Sequence, residues 1–573
     1  MSTRPILSGE LMGGAWLPVS FGRVAVCVGA LAYLIFIMEA MFGIPNPAWA
    51  VALLAAAVVT AALASQLTRP LAGRILDWLD TRSAVIVMAM IVAMTVLWGG
   101  ASILQAWHFA LGAHAEDTAY YSQLLWNTLQ GNPLAGNVQQ ERLYNPPVSS
   151  DLALHVSPAL GLLLPLYALA PHFLTLLIVR DIALAAAAWP LYALTRERMG
   201  GSVGIAAAGL YLVNPAVVAQ GFEAFYLLHF APLPFFLALR AFARQDLRWF
   251  GAWIVLAMSL REDVAIGVAG FGLLALVTRR PFRWTLLGLG LPVAWWLVCT
   301  MLVQPAFGHW GNNVTEIAYS GGDRAKFGIY QVLLSNPLGL LDLLRQGGFE
   351  YLYRLLRSVG FLALLGWEGV LAAPGLAANL LVGRMLDQAV DPMSRLALMP
   401  ACALIGASVL TTTRVAGWVR DRGRARIVAV VMLTVLPSVS LLDGIKDSAQ
   451  ERLAFYTVSN DGPALRTAVG QVPPGAAVAA PNYALPALAS REKLYYLQYL
   501  HMYPGARPDY ILVDRDVDRV TSNPDLRKRY TAFLAAMLET SDYDVAWRSG
   551  PYLLFRRHEG TGGLPSRTDG GRQ

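Results

Sequence analysis

Charge is scarce in this sequence. Of 573 residues only 14% are Asp, Glu, Lys or Arg, while 56% are hydrophobic, and the mean hydropathy is +0.49. A water-soluble fold needs more charge to cover its surface, so the solvent for most of the chain is lipid. Cysteine is scarcer still. Cys27, Cys299 and Cys402 each lie inside an apolar run, far apart, with no CxxC or Cys/His spacing, a pattern of core packing and not of metal or redox use. Also missing are a P-loop and a Gly-rich turn between strand and helix, which argues against ATP-driven transport by this chain alone. No small-residue cleavage pattern follows the first apolar run, so no cleavable signal peptide is expected.

What the chain has in quantity is apolar stretches of spanning length. Val24 to Phe42, Trp49 to Leu67, Ala84 to Trp107 and Ile427 to Leu442 show the range, and about 20 such residues cross a hydrocarbon core. The fold class expected is a polytopic α-helical membrane protein with about 12–13 spans and a small α/β soluble domain at the C-terminal end. The net charge is +7 and the pI near 9.3, but the basic residues fall mainly in short loops beside spans, where they set orientation. No nucleic-acid partner is expected.

Read loop by loop, the positive-inside rule places the N-terminus in the cytoplasm through Arg4 and Arg23, and returns to that face at Arg69, Arg74 and Arg82. Residues 1–83 then form two additional N-terminal spans. Residues 84–442 are a polytopic core with outer loops 108–172 and 304–350. Residues 443–558 form an outer-face α/β domain, with strands expected at Ala476 to Ala480, Leu494 to Leu497, Tyr510 to Asp514, Val545 to Arg548 and Tyr552 to Phe555, and helices at Tyr483 to Ala489 and Asp525 to Glu539. The Gly-rich tail, 559–573, is expected to be disordered.

Within the core, the hairpin Trp249 to Leu260 and Val264 to Val277 has arms of only about 18 and 21 Å at 1.5 Å per residue. Its turn, Arg261-Glu262-Asp263, is therefore pulled below the outer surface. Three ionisable groups at that depth need partners, water or a ligand. In the first outer loop, apolar and aromatic residues at Tyr120, Tyr121, Leu124 and Leu125 share one helical face behind Glu116 and Asp117, which predicts an amphipathic helix along the membrane. Asp117 at its start has two readings, a carboxylate favoured by the helix dipole or a general base. Arg180-Asp181 is either a structural pair or a phosphate site. Glu223 and His155 stand near the outer face, as does His229. Arg324, Lys326 and Arg345 could grip a phosphate or could be solvated loop charges.

At Asp117-Thr-Ala-Tyr-Tyr-Ser-Gln-Leu-Leu-Trp-Asn-Thr-Leu-Gln-Gly the chain resembles a bacterial family of membrane proteins, the domain of unknown function numbered two-zero-seven-nine. His155-Val-Ser-Pro is similar to that family's His-Phe-Ser-Pro segment, Arg261-Glu-Asp-Val264 to its Lys-Glu-Asp-Val, and Ser490-Arg-Glu-Lys-Leu-Tyr495 to a motif of its terminal domain. The likeness runs from about Asp117 to Phe555. That family in turn resembles glycosyltransferase superfamily C, whose members take sugars from polyprenyl phosphates and keep a catalytic acid in the first outer loop. The resemblance implies that Asp117 takes the place of that acid, with Glu116 beside it as a fallback. Two departures stand out: the family's second Asp in the first motif is Ser122 here, and its Asp-Phe-His-Pro-Glu stretch is Glu223-Ala-Phe-Tyr-Leu-Leu-His229.

The expected function is transfer of a sugar from a polyprenyl-phosphate donor to a cell-envelope acceptor on the outer face of the cell membrane, by single displacement with inversion. Asp117 and Glu116 are the catalytic candidates. Arg261, Glu262, Asp263, His155, Arg180 and Glu223 are the substrate-binding ones. No metal ligand is assigned, a divalent metal stays open as a cofactor, and membrane lipid is the partner. The alternative is a transporter or flippase of lipid-linked material, for which buried charges in a central cavity are equally natural, but no paired inverted halves are visible.

Overall fold

A computed structural model of the chain describes residues 69–111, 114–143, 150–308, 347–385, 391–435, 437 and 462–558, apart from positions 504 and 522. The two expected N-terminal spans, most of the second outer loop with Arg324, Lys326 and Arg345, and the tail from 559 lie outside the described residues.

In lipid every backbone N–H and C=O must be satisfied within its own segment, and the apolar runs accordingly become helices. The first, α1 (Arg69–Trp107), is 39 residues long. The inner loop expected over Arg69 to Arg82 is instead its first part. Its charges are held on the helix surface, where Arg426 pairs with Asp77 at 2.9 Å and with Asp80 at 2.5 Å. The polar segment then forms α2 (Ala115–Leu129) and α3 (Asn137–Leu143). The helix α4 (Phe173–Ala186) runs on through Ala187 into α5 (Ala188–Met199).

Next come α6 (Gly201–Leu212), α7 (Pro232–Ala243), α8 (Leu247–Met258), α9 (Val264–Val268) and α10 (Gly270–Val277). They are followed by α11 (Phe282–Phe307), α12 (Phe349–Ser358), α13 (Ala373–Met385) and α14 (Leu398–Ala416). Prolines set several of these bounds, because Pro lacks the N–H that a helix interior uses. Thus the expected span Val203 to Gln220 is interrupted at Asn214-Pro215, where the Asn214 side chain caps a separate short helix, Pro215–Gln220.

Among the described residues four helices are long and apolar enough to cross a membrane, and five apolar helices are shorter. The described part therefore does not reproduce a count of about 12–13 full-length spans, since breaks of this kind divide apolar runs into half-length pieces. Burial separates the helices into layers. On α1 and α11 large apolar side chains face outward, with Val85 74% and Phe282 75% exposed, an arrangement tolerable over such an area only against lipid. By contrast α14 is buried along almost its whole length and forms the centre of the bundle.

Beyond the helices, α15 (Gly462–Gly470), α16 (Pro524–Glu539) and five strands form the small C-terminal sheet domain. The strands are β1 (Val478–Ala480), β2 (Leu494–Tyr496), β3 (Tyr510–Asp514), β4 (Tyr543–Ser549) and β5 (Tyr552–Arg557), in the order β2-β1-β3-β5-β4. β1 runs parallel to β2 and to the central β3, and β5 is antiparallel to β3 and β4. Where a helix is expected over Tyr483 to Ala489 there are two single 3-10 turns, Asn482–Ala484 and Pro486–Leu488. The domain is fastened to the polar segment. Gln123 donates to the carbonyls of Arg491 and Glu492 at 3.2 and 2.9 Å, the Leu494 N–H donates to Asn137 at 2.9 Å, and the Tyr503 hydroxyl donates to the Val138 carbonyl at 2.8 Å.

At the crossing of α10 and α11, a Cβ on Gly272 would lie 2.6 Å from the Leu289 nitrogen and 2.7 Å from the Gly288 carbonyl carbon. Main-chain atoms cannot swing aside, so Gly272→Ala is expected to cost about 1–3 kcal/mol and to lower the melting temperature in detergent. Gly73→Ala on α1, where nothing lies within 4 Å, is expected to leave it unchanged.

Candidate active site

The sequence suggests that α2 lies along the membrane with one apolar face. The structure buries it on nearly all sides, Thr118, Ser122, Gln123 and Asn127 included, because it is sandwiched between the helical bundle and the sheet domain. Buried polar side chains must find partners, and those of α2 do. Thr118 accepts the Phe225 N–H at 2.9 Å, Ser122 shares a 2.7 Å hydrogen bond with Tyr167, and Asn127 donates to the Ala135 carbonyl at 2.7 Å.

Asp117 stands in the first turn of this helix. Its Oδ1 accepts from Gln139 at 2.6 Å, its Oδ2 accepts from the Tyr226 hydroxyl, and His114 Nδ1 lies 3.8 Å from Oδ2. Arg395 completes the chain, donating to the Tyr226 hydroxyl with its guanidinium 4.1 Å from the ring centroid. Glu116, next to Asp117, has its backbone N–H bound 2.8 Å from Asn482 Oδ1 of the sheet domain. Ligand atoms of His114, Glu116 and Asp117 lie within 4.8 Å of one another. An imidazole and two carboxylates are donors that a divalent cation accepts, although Asp117 already serves two hydrogen-bond donors.

The Arg261-Glu262-Asp263 turn joins α8 to α9, with Arg261 and Glu262 both buried. Its charges are neutralised pairwise, as burial requires. Arg261 forks onto both oxygens of Asp263, with Nε to Oδ1 at 2.7 Å. Glu262 turns the other way, its Oε1 3.0 Å from His155 Nδ1 and its Oε2 accepting the Val156 N–H at 3.0 Å. The two separate motifs, His155-Val-Ser-Pro and Arg261-Glu-Asp-Val, thus meet in one carboxylate–imidazole pair. Burial pulls the His155 pKa down, but the Glu262 charge and hydrogen bond outweigh it and raise the pKa above the ordinary value. Tyr121, one turn beyond Asp117, is buried, and its pKa is raised chiefly by that burial, with Asp151, Asp117 and Glu262 adding to the rise and Arg261 opposing it.

Arg180 does not join this group. It is wholly buried, donates through Nε to Asp181 at 2.8 Å and through Nη2 to Ser102 at 3.0 Å and the Gly221 carbonyl at 3.1 Å, and reaches the Glu223 carbonyl through Nη1. Those partners engage all three of its nitrogens, the arrangement expected of a structural pair. Glu223 contributes that backbone carbonyl while its side chain is half-buried. Four residues here escaped the sequence reading. Gln139, Tyr226 and Arg395 converge on Asp117 only through folding, although Tyr226 lies in the stretch where the chain departs from its family's pattern. The fourth, Asp151, sits one helical turn before His155.

Asp151 is buried and accepts from the Tyr120 hydroxyl at 2.5 Å. Burial, with a smaller contribution from Glu262, pushes its pKa up to about 6 against the counter-effects of His155 and Tyr120. A folded-state pKa above the unfolded value means the native state binds the proton more tightly, so this contribution to stability is full below about pH 4 and is lost as pH rises through about 6. Asp151→Asn, which cannot ionise, is expected to be more stable than wild type at pH 7.5, by at most about 3 kcal/mol, with a correspondingly higher melting temperature, and to show no such gain near pH 4. Melting curves of the two proteins across that range check it.

Residues 107–548 match the family described as "Predicted membrane protein (DUF2079)", and the chain belongs to it. No curated protein matches the sequence. Among solved structures, the chain is similar to ArnT from Cupriavidus metallidurans bound to undecaprenyl phosphate, at 13% identity and a TM-score of 0.44, covering 82% of this chain and 99% of that one. It is similar also to ArnT from the same organism in the apo state, at 13% identity and a TM-score of 0.44, covering 80% and 97%.

Proposed function

We propose that this membrane protein is a glycosyltransferase that moves a sugar from a polyprenyl phosphate to an acceptor hydroxyl on the outer face of the cytoplasmic membrane, with the N-terminus in the cytoplasm. The observation that carries the reading is Asp117 itself. It is a carboxylate in the first turn of a buried helix, oriented by Gln139 and Tyr226, with Arg395 donating to the same Tyr226 hydroxyl and His114 Nδ1 3.8 Å from Oδ2. A carboxylate has about four lone-pair sites, so two donors orient it and leave room for a substrate proton.

In the proposed reaction the acceptor oxygen attacks the anomeric carbon, and its proton passes to Asp117. The bond from that carbon to the lipid phosphate oxygen breaks, its electron pair leaving with the phosphate. A single displacement of this kind inverts the sugar carbon. Charge building on the departing phosphate is offset by cations held in place beforehand, Arg261 and Arg395 with the imidazolium that Glu262 favours on His155. The close fastening of the sheet domain to α2 and α3 supports placing both on one side of the membrane.

Full-length protein in nanodiscs, given radiolabelled polyprenyl-phosphate sugars and membrane acceptors, is expected to transfer label, and Asp117→Asn to slow transfer roughly 10²–10⁴-fold. Transfer that survives the substitution rejects Asp117 as base. If no donor supports transfer and labelled lipid instead crosses liposome bilayers, the transporter reading takes its place.

A further inference from the structure

Helix α2 begins without a cap of its own. His114 at its N-cap position makes no side-chain hydrogen bond to the first turn, whereas Ser, Thr, Asp or Asn normally fills that role. The side chain that does accept a first-turn N–H comes from far along the sequence: Asn482 Oδ1 takes the Glu116 N–H at 2.8 Å, across 366 positions. Its own placement is well supported. Asn482 is buried and lies two residues past the inner strand β1, and the next residue, Tyr483, is anchored by a 2.6 Å hydrogen bond from its hydroxyl to Asp514 at the end of β3. Asp514 is itself fully buried and bound by the Asp516 N–H at 2.9 Å. Gln123, farther along α2, and Asn137 at the start of α3 fasten the same domain to the same segment, so the contact at Asn482 is one end of a continuous interface.

We infer that Asn482 is a positioning residue for Asp117: the C-terminal sheet domain caps α2 in place of the missing local cap and thereby holds the carboxylate in register with its substrate. The positioning role rests on the reading of Asp117 as the base, while the capping itself does not. On this inference the terminal domain is a working part of the site and not an appended module. The physical basis is that one unsatisfied first-turn amide lets the turn fray, and a displacement of about 1 Å at a reacting group can cost on the order of 10²-fold in rate.

The test uses the full chain in nanodiscs, with amide hydrogen exchange over residues 114–120 read alongside sugar-transfer kinetics. Asn482→Ala is expected to speed exchange in that segment roughly five- to thirtyfold and to lower kcat about tenfold with the donor KM unchanged. Protection of β3 should persist as the sign of an intact domain. Asn482→Asp, which keeps an acceptor oxygen in the same place, is expected to restore both slow exchange and kcat. Unchanged exchange at 114–120 in Asn482→Ala overturns the capping, as does a failure of Asn482→Asp to restore it if β3 also melts in Asn482→Ala. Faster exchange with unchanged kcat overturns the positioning role. Should wild type transfer no sugar, the proposed activity and the positioning role fall with it, and the exchange measurement still decides the cap.

Discussion

The turn that grips the start of α2 from the membrane side depends on a buried ion pair that takes no part in the proposed chemistry. Arg180 and Asp181 are wholly enclosed, 2.7 Å apart. In an apolar surrounding such a pair is tolerable only when its remaining donors and acceptors are also engaged. Ser102 of α1 meets that need from one side, and the carbonyls of Gly221, Glu223 and Ala224 meet it from the other. The pair therefore ties α1, α4 and an irregular turn into one unit. That turn continues as Phe225 and Tyr226, which bind Thr118 and Asp117.

Helix α2 is held in this way from two directions. The membrane bundle grips its first turn through the turn that Arg180 organises, and the sheet domain grips the same turn through Asn482 and the middle of the helix through Gln123. A site group supported on both sides by packed elements loses little order on binding, which is what precise chemistry requires. The Arg261 turn follows the same logic of paired support. Asp263 answers Arg261 and His155 answers Glu262, so the charges are stabilised locally.

Much of the fold was legible in the residues, for definite reasons. Lipid as solvent follows from the scarcity of charge, and the strands of the terminal domain from their short β-branched and aromatic runs. Charge at the Arg261 turn is likewise visible in the sequence, as three ionisable residues between two apolar arms. Harder to read were boundaries that depend on partners. The basic stretch before Ala84 reads as a loop until Asp77 and Asp80 meet Arg426, and α2 reads as an interfacial helix because hydrophobic pattern alone cannot reveal a second layer covering its polar face.

The site divides along the same line. Which segments carry charge into apolar surroundings, namely Asp117, His155, Arg180 and Arg261 to Asp263, could be read from the residues alone, because a charge amid apolar residues is visible wherever it stands. Which of them meet came only with the packed fold. It pairs His155 with Glu262 and Arg180 with Asp181, brings Tyr226 and Arg395 to Asp117, and sets Asn482 against the start of α2. Hydrogen bonds reach about 3 Å, and no local pattern encodes which residues hundreds of positions apart will come within that distance.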